Sequence, residues 1–124
     1  MGEVEVPFDE EQTYTKVIEF LSKENHVDGI FVVGSGQSGT ARALQDLRLS
    51  SKIKLAVFDA TSDIVEYIKK GVISCSICVD QFGQGYETII YLYNYLMTRK
   101  LLNESELWSK LYVVDQENMQ RILN

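Results

Sequence analysis

The sequence predicts an α/β fold: a three-layer α/β/α sandwich built on a mainly parallel sheet. Two observations carry that prediction. Short apolar runs of strand length alternate with segments of helical periodicity, and the loops between them are short. No repeat, low-complexity stretch or Pro/Gly/Ser linker interrupts the 124 residues, and Pro7 is the only proline, so residues 1–124 read as a single domain.

The elements follow in order. Glu3 to Val6 reads as a weak first strand. Asp9 to Lys23 places Tyr14, Val17, Ile18 and Leu21 on one helical face. Gly29 to Val33 is a continuous apolar run, the pattern of a strand covered on both faces. A glycine-rich turn leads into a helix from Ser38 to Leu47, and Ile53 to Phe58 is the next strand, ending at Asp59. Ser62 to Lys70 is helical, with Lys69 and Lys70 at the negative end of its dipole and Gly71 as its stop. Val72 to Val79 is a further strand. Gln84 to Arg99 is the strongest helix, apolar around most of its circumference. Leu111 to Val114 closes the sheet, and Asp115 caps a terminal helix from Gln116 to Leu123.

Charge and length exclude several functions. Twelve basic against eighteen acidic residues give a net charge of −6, the wrong balance for gripping phosphate backbones. No apolar run approaches the roughly 18 residues of a membrane span. Met1 to Phe8 alternate charged and apolar residues and do not resemble a signal peptide. Cys75 and Cys78 form a CxxC inside a strand, where residues three apart point to opposite faces, and His26 is the only histidine. The pair therefore reads as two small core residues with free thiols, which favours a reducing compartment.

In open parallel sheets, ligands bind beyond the carboxyl ends of the strands. Three loops fall there and gather Ser35, Gln37, Asp59, Asp80 and Gln81, with Phe82 as a stacking ring. Uncharged hydrogen-bonders with two carboxylates suit a polyhydroxylated neutral ligand, because one carboxylate accepts from two adjacent hydroxyls. Ser38 and Thr61 read instead as helix caps. A different reading rests on Gly34, Gly36 and Gly39, a GxGxxG between strand and helix, with Asp59 twenty residues after Gly39 in the place of a ribose-binding acid. That would make the chain an NAD(P)- or FAD-binding domain of an oxidoreductase. Against it, a strand and a helix precede the motif, and no candidate for hydride chemistry follows. A receiver-like phosphoacceptor domain fits the length but lacks the acidic cluster and the late lysine.

A resemblance covers the chain from Val27 onwards. The blocks Asp28-Gly-Ile-Phe-Val-Val33, Gly39-Thr-Ala-Arg-Ala-Leu44, Lys54-Leu-Ala-Val-Phe-Asp-Ala-Thr61, Glu66 to Ile77, Gly85-Tyr86 with Tyr91 to Leu96, and Val114-Asp-Gln-Glu-Asn118 stand in sequence. Together they resemble the C-terminal part of the type I periplasmic-binding-protein superfamily, whose lobes are Rossmann- or flavodoxin-like. That group holds sugar-binding proteins of ABC transporters and the effector domains of LacI/GalR-type regulators. The resemblance implies a non-catalytic sugar-sensing lobe without a cofactor, in which Asp59 takes the place of the sugar-contacting aspartate. The first loop departs from the family's Asn-Asp and gives hydroxyl recognition to Ser35 or Gln37. The family's hinge glutamine falls on Val79 or on Gln81.

The resemblance also implies that one lobe of a two-lobed core lies outside this sequence, leaving half a cleft and poor affinity for free sugar. The leading reading is a cytoplasmic LacI/GalR-type regulator acting as a homodimer, with DNA contacted only through an absent N-terminal domain. The alternative is an extracytoplasmic transporter component. In the family, the segment after the third strand packs on the other lobe. The helix Gln84 to Arg99 is therefore expected to fold back onto the sheet, or to be buried by two chains swapping it.

Overall fold

A computed structural model describes residues 2–6, 9–24, 26–100 and 107–122. The elements run α1 (Glu10–Lys23), β1 (Gly29–Phe31), α2 (Gln37–Asp46), β2 (Lys54–Phe58), α3 (Ser62–Lys69), β3 (Cys75–Val79), α4 (Gln81–Thr98), β4 (Leu111–Asp115) and α5 (Met119–Ile122). The strands form one four-stranded sheet in the order β1-β2-β3-β4. β1 runs parallel to β2 with Ile30 beside Leu55, and β2 runs parallel to β3 with Val57 beside Ser76. The fold is the predicted α/β sandwich, a mostly parallel sheet with flanking helices.

The chain divides into two compact units, residues 1–78 with 113–124 and residues 79–112. In the first unit, strand order follows chain order, so right-handed crossovers put α2 and α3 on the same face of the sheet. The two helices are in contact, and α1 packs along α2. Leu55 and Val57 of β2, Leu44 of α2, Ile64 and Ile68 of α3, and Val114 are buried together as the core. Gly71, at φ +71°, ends α3 in the left-handed conformation its place after Lys70 predicts.

The second unit is built on α4. Asp80 is its N-cap, and its carboxylate Oδ1 accepts from the backbone N–H of Gly83 at 2.8 Å. A Cβ on residue 83 would run into that carboxylate. No residue of α4 is buried.

Several expectations require correction. Glu3 to Val6 is not a strand; it is exposed chain without a ladder partner, apart from Val6, which is half-buried. The run 29–33 does not bury both its faces: Phe31 is 51% and Val33 73% exposed, while Val32 is buried. Alternation therefore holds in a segment that composition alone reads as uniformly apolar. α4 starts three residues before the expected Gln84, because the Asp80 cap offsets the cost of Gly83 and Gly85 in the first turns. Asp115 does not cap a helix at Gln116. Its carboxylate accepts from the N–H groups of Glu117 and Asn118, both at 2.9 Å, and holds a turn before α5. Leu123 lies outside the described residues.

Candidate functional site

Ser35, Gln37 and Asp59 lie in the first unit at the carboxyl ends of β1 and β2, where the sequence placed them. Ser35 is in the loop between β1 and α2, with Gly34 and Gly36 on either side at φ +91° and +93°. Gln37 opens α2, and its side-chain amide donates to the Phe58 carbonyl at 3.3 Å. This bond ties the first loop to the end of β2, one residue before Asp59.

Asp59 itself has φ +63°, in the left-handed region that a non-glycine residue enters only when its surroundings hold it there. Two bonds do so. Its N–H donates to the Ile77 carbonyl at 2.9 Å, and its carbonyl accepts from the buried Ser76 hydroxyl. Its carboxylate has no hydrogen-bond partner among the described residues, leaving all its lone pairs available to a ligand. Ser76, buried beneath this turn, is a supporting residue that the sequence reading missed. A serine inside an otherwise apolar strand was the signal for it.

The glycine-rich loop has a different role from the one its motif proposes. The N–H of Gly39 donates to the Glu10 carboxylate at 2.5 Å, so an anion from α1 already occupies the start of α2. A Cβ on Gly39 would lie 2.3 Å from the Glu10 carbonyl, and one on Gly36 would meet Thr13 at 2.8 Å. These glycines let two helices approach. The seam continues with Arg42 paired to Glu11 through two bonds of 2.7 and 2.6 Å and stacked 4.1 Å over the Tyr14 ring. Tyr14 in turn donates to Asp46 at 2.9 Å. The dinucleotide reading of Gly34, Gly36, Gly39 and Asp59 is therefore corrected, since the pyrophosphate position holds Glu10. Of the two expected caps, Ser38 is corrected and Thr61 stands at its predicted place. Gly36 occupies the N-cap of α2, and Thr61, at the N-cap of α3, makes no side-chain capping bond.

The other three predicted site residues belong to the second unit. The Asp80 carboxylate is engaged in its helix cap, Gln81 is exposed on the first turn of α4, and the exposed Phe82 ring stacks on Tyr86 at 6.0 Å. Val79 ends β3, so the two hinge candidates, Val79 and Gln81, flank the cap. An open cleft of about 440 Å³ lies along this unit, lined by residues including Asp80, Glu87, Tyr91 and Trp108. The buried hydroxyl of Ser109 there has no partner among the described residues.

Cys75 and Cys78 are free thiols on opposite faces of β3, with Cys78 packed against the core. Burial pushes the Cys78 thiol up, the Asp59 charge adds to this, and the Ser76 hydroxyl opposes it. Cys78 should therefore be alkylated by iodoacetamide only as pH rises above the ordinary cysteine range. Peptide mass spectrometry over a pH series reads this directly, and rapid labelling at neutral pH would show an accessible thiolate instead.

Against known proteins, the periplasmic binding protein domain family matches residues 2–100. The chain belongs to that family. Its fold recurs in solved members at low sequence identity. A solute-binding protein of an ABC transporter from Agrobacterium vitis, with bound D-fucose, superposes with TM-score 0.85 at 18% identity, over 99% of this chain and 42% of that one. A second from the same organism, bound with α-D-tagatopyranose, gives 0.82 at 21%, over 93% and 38%. GanP, a glucose-galactose binding protein from Geobacillus stearothermophilus, gives 0.81 at 15%, over 90% and 39%. The chain thus spans only about two fifths of the length of these structures. No curated protein matches it in sequence.

Proposed function

We propose that this chain is a non-catalytic, sugar-binding lobe of the solute-binding component of an ABC transporter, working outside the cytoplasm. In this reading residues 1–124 are the C-terminal portion of a two-lobed core. The observation that carries it is Asp59, a carboxylate without a hydrogen-bond partner among the described residues, held in a left-handed turn at the carboxyl end of the sheet beside Gln37. Asp59 accepts from adjacent sugar hydroxyls, and Gln37 and Ser35 orient them. The sugars named in the solved relatives, D-fucose, tagatose and D-allose, are neutral polyols of the kind this set recognises.

The regulator reading loses its footing. Its cytoplasmic placement leaned on the free cysteines, read as favouring a reducing compartment. The cysteines pack in β3 and the glycines serve the α1–α2 seam, while the relatives reported above are sugar-binding proteins, two of them from ABC transporters. DNA contact through an upstream domain has no support on this chain.

A titration of the isotope-labelled chain followed by amide NMR tests the proposal, because it detects the weak binding expected of half a cleft. D-fucose, D-tagatose, D-allose and D-galactose should each be compared with NAD. We expect sugar-dependent shifts at Ser35, Gln37 and Asp59, and none from NAD. Shifts at Gly34 to Gly39 with NAD, or silence from every sugar at concentrations near saturation of the solution, would overturn it.

A further inference from the structure

We infer that Ser76 is a positioning residue for the ligand: its buried hydroxyl, acting through the backbone of residue 59, aims the Asp59 carboxylate. This rests on the reading of Asp59 as the sugar acceptor. β2 gives way to its loop within that one residue. The Asp59 N–H still belongs to the sheet, donating to the Ile77 carbonyl at 2.9 Å, while its φ of +63° departs from any strand. Backbone angle fixes where a Cβ points, so whatever sets this φ also sets the direction of the carboxylate. The Asp59 carbonyl turns onto the Ser76 hydroxyl. The preceding carbonyl, on Phe58, accepts from the Gln37 amide at 3.3 Å. Both peptide groups that carry Asp59 are thus fixed by a side chain from another element.

The serine can serve only as a donor here. The Cys78 thiol donates to its oxygen from 4.0 Å, leaving its own proton to be given away. Two carbonyls lie within reach, that of Val57 at 3.4 Å and that of Asp59 nearer, so the turn receives the stronger bond. Ser76 is fully buried, and the space left by a missing hydroxyl is too small for a water, so solvent cannot replace the donor. Without it the Asp59 carbonyl loses its partner. A backbone conformation sparsely populated outside glycine then loses one of the bonds that hold it.

Three substitutions separate the hydroxyl from its bulk. Ser76→Thr keeps the donor and adds a methyl group, Ser76→Val has the same added bulk without a donor, and Ser76→Ala removes the donor alone. Amide NMR on the isotope-labelled full chain gives two readouts. The first needs no sugar: strong cross-relaxation between the amide and α protons of one residue marks a positive φ. It should be present at Asp59 in the wild type and in Ser76→Thr, and weaken in Ser76→Val and Ser76→Ala, with the remaining spectrum that of a folded chain. The second is titration with D-fucose, D-tagatose, D-allose and D-galactose. Ser76→Val and Ser76→Ala should bind about tenfold more weakly than the wild type, and Ser76→Thr should restore the affinity.

A Ser76→Val or Ser76→Ala chain that keeps the cross-peak overturns the inference. So does unchanged affinity where the cross-peak is lost, or a Ser76→Thr chain that loses as much as Ser76→Val. If no sugar shifts the wild-type spectrum, the sugar reading falls instead, and the Asp59 cross-peak still decides whether Ser76 sets the turn.

Discussion

Substituting Gly39 by alanine is expected to destabilise the chain, although alanine is the better helix former. In an uncrowded helix the exchange would stabilise by about 1 kcal/mol, so the sign alone decides. At Gly39 the added carbon would sit 2.3 Å from the backbone carbonyl of Glu10 and 3.1 Å from the Tyr14 nitrogen. Neither atom belongs to a flexible side chain, so α1 must lift off α2. Gly39→Val should cost on the order of 3 kcal/mol, the upper range for an overpacked core, and lower the melting temperature by roughly 10 °C for a domain of this size. Thermal melts followed by circular dichroism measure both variants. A stabilised Gly39→Ala would mean that α1 is not seated on α2.

The second large effect concerns the ligand. Asp59→Asn should leave the fold intact and remove most sugar affinity. Asparagine is the right probe because it tolerates the left-handed backbone at this position, where alanine would add strain to the comparison. The substitution keeps the shape but replaces a charged double acceptor with one acceptor and one donor. Hydrogen bonds to charged groups contribute about 1.5–3 kcal/mol each, so the loss is expected to approach a hundredfold. The sugar-dependent amide shifts should then vanish while the rest of the NMR spectrum stays superimposable. Unchanged shifts would remove Asp59 from the site.

The strand and helix pattern was legible from residue 10 onwards because periodicity is local: each element carries its own alternation. What escaped was set by residues far apart in sequence. Glu10 reaches Gly39 across 29 positions, and nothing in GxGxxG distinguishes a glycine that admits a phosphate from one that admits a helix. The burial of Val32 between exposed Phe31 and Val33 depends on what lies across the sheet, which a five-residue apolar run does not encode. Glycines at 83 and 85 hid the true start of α4, although Asp80 was a readable cap. Of the candidate site, the position of Asp59 was legible from the end of its strand. Its left-handed backbone was not, because that is imposed by Ser76 and Ile77 on the next strand.

The strand order has a consequence for how the chain comes to be folded. Because β1, β2 and β3 lie side by side in the order they are synthesised, each parallel pair joins segments separated by little more than one helix. A nascent chain can thus lay down β1, cover it as α2 emerges, and dock β2 before β3 has left the ribosome. Each step closes a short loop rather than a long one, which keeps the entropic barrier of parallel pairing low. Among β1, β2 and β3, each new strand can therefore dock on one already made.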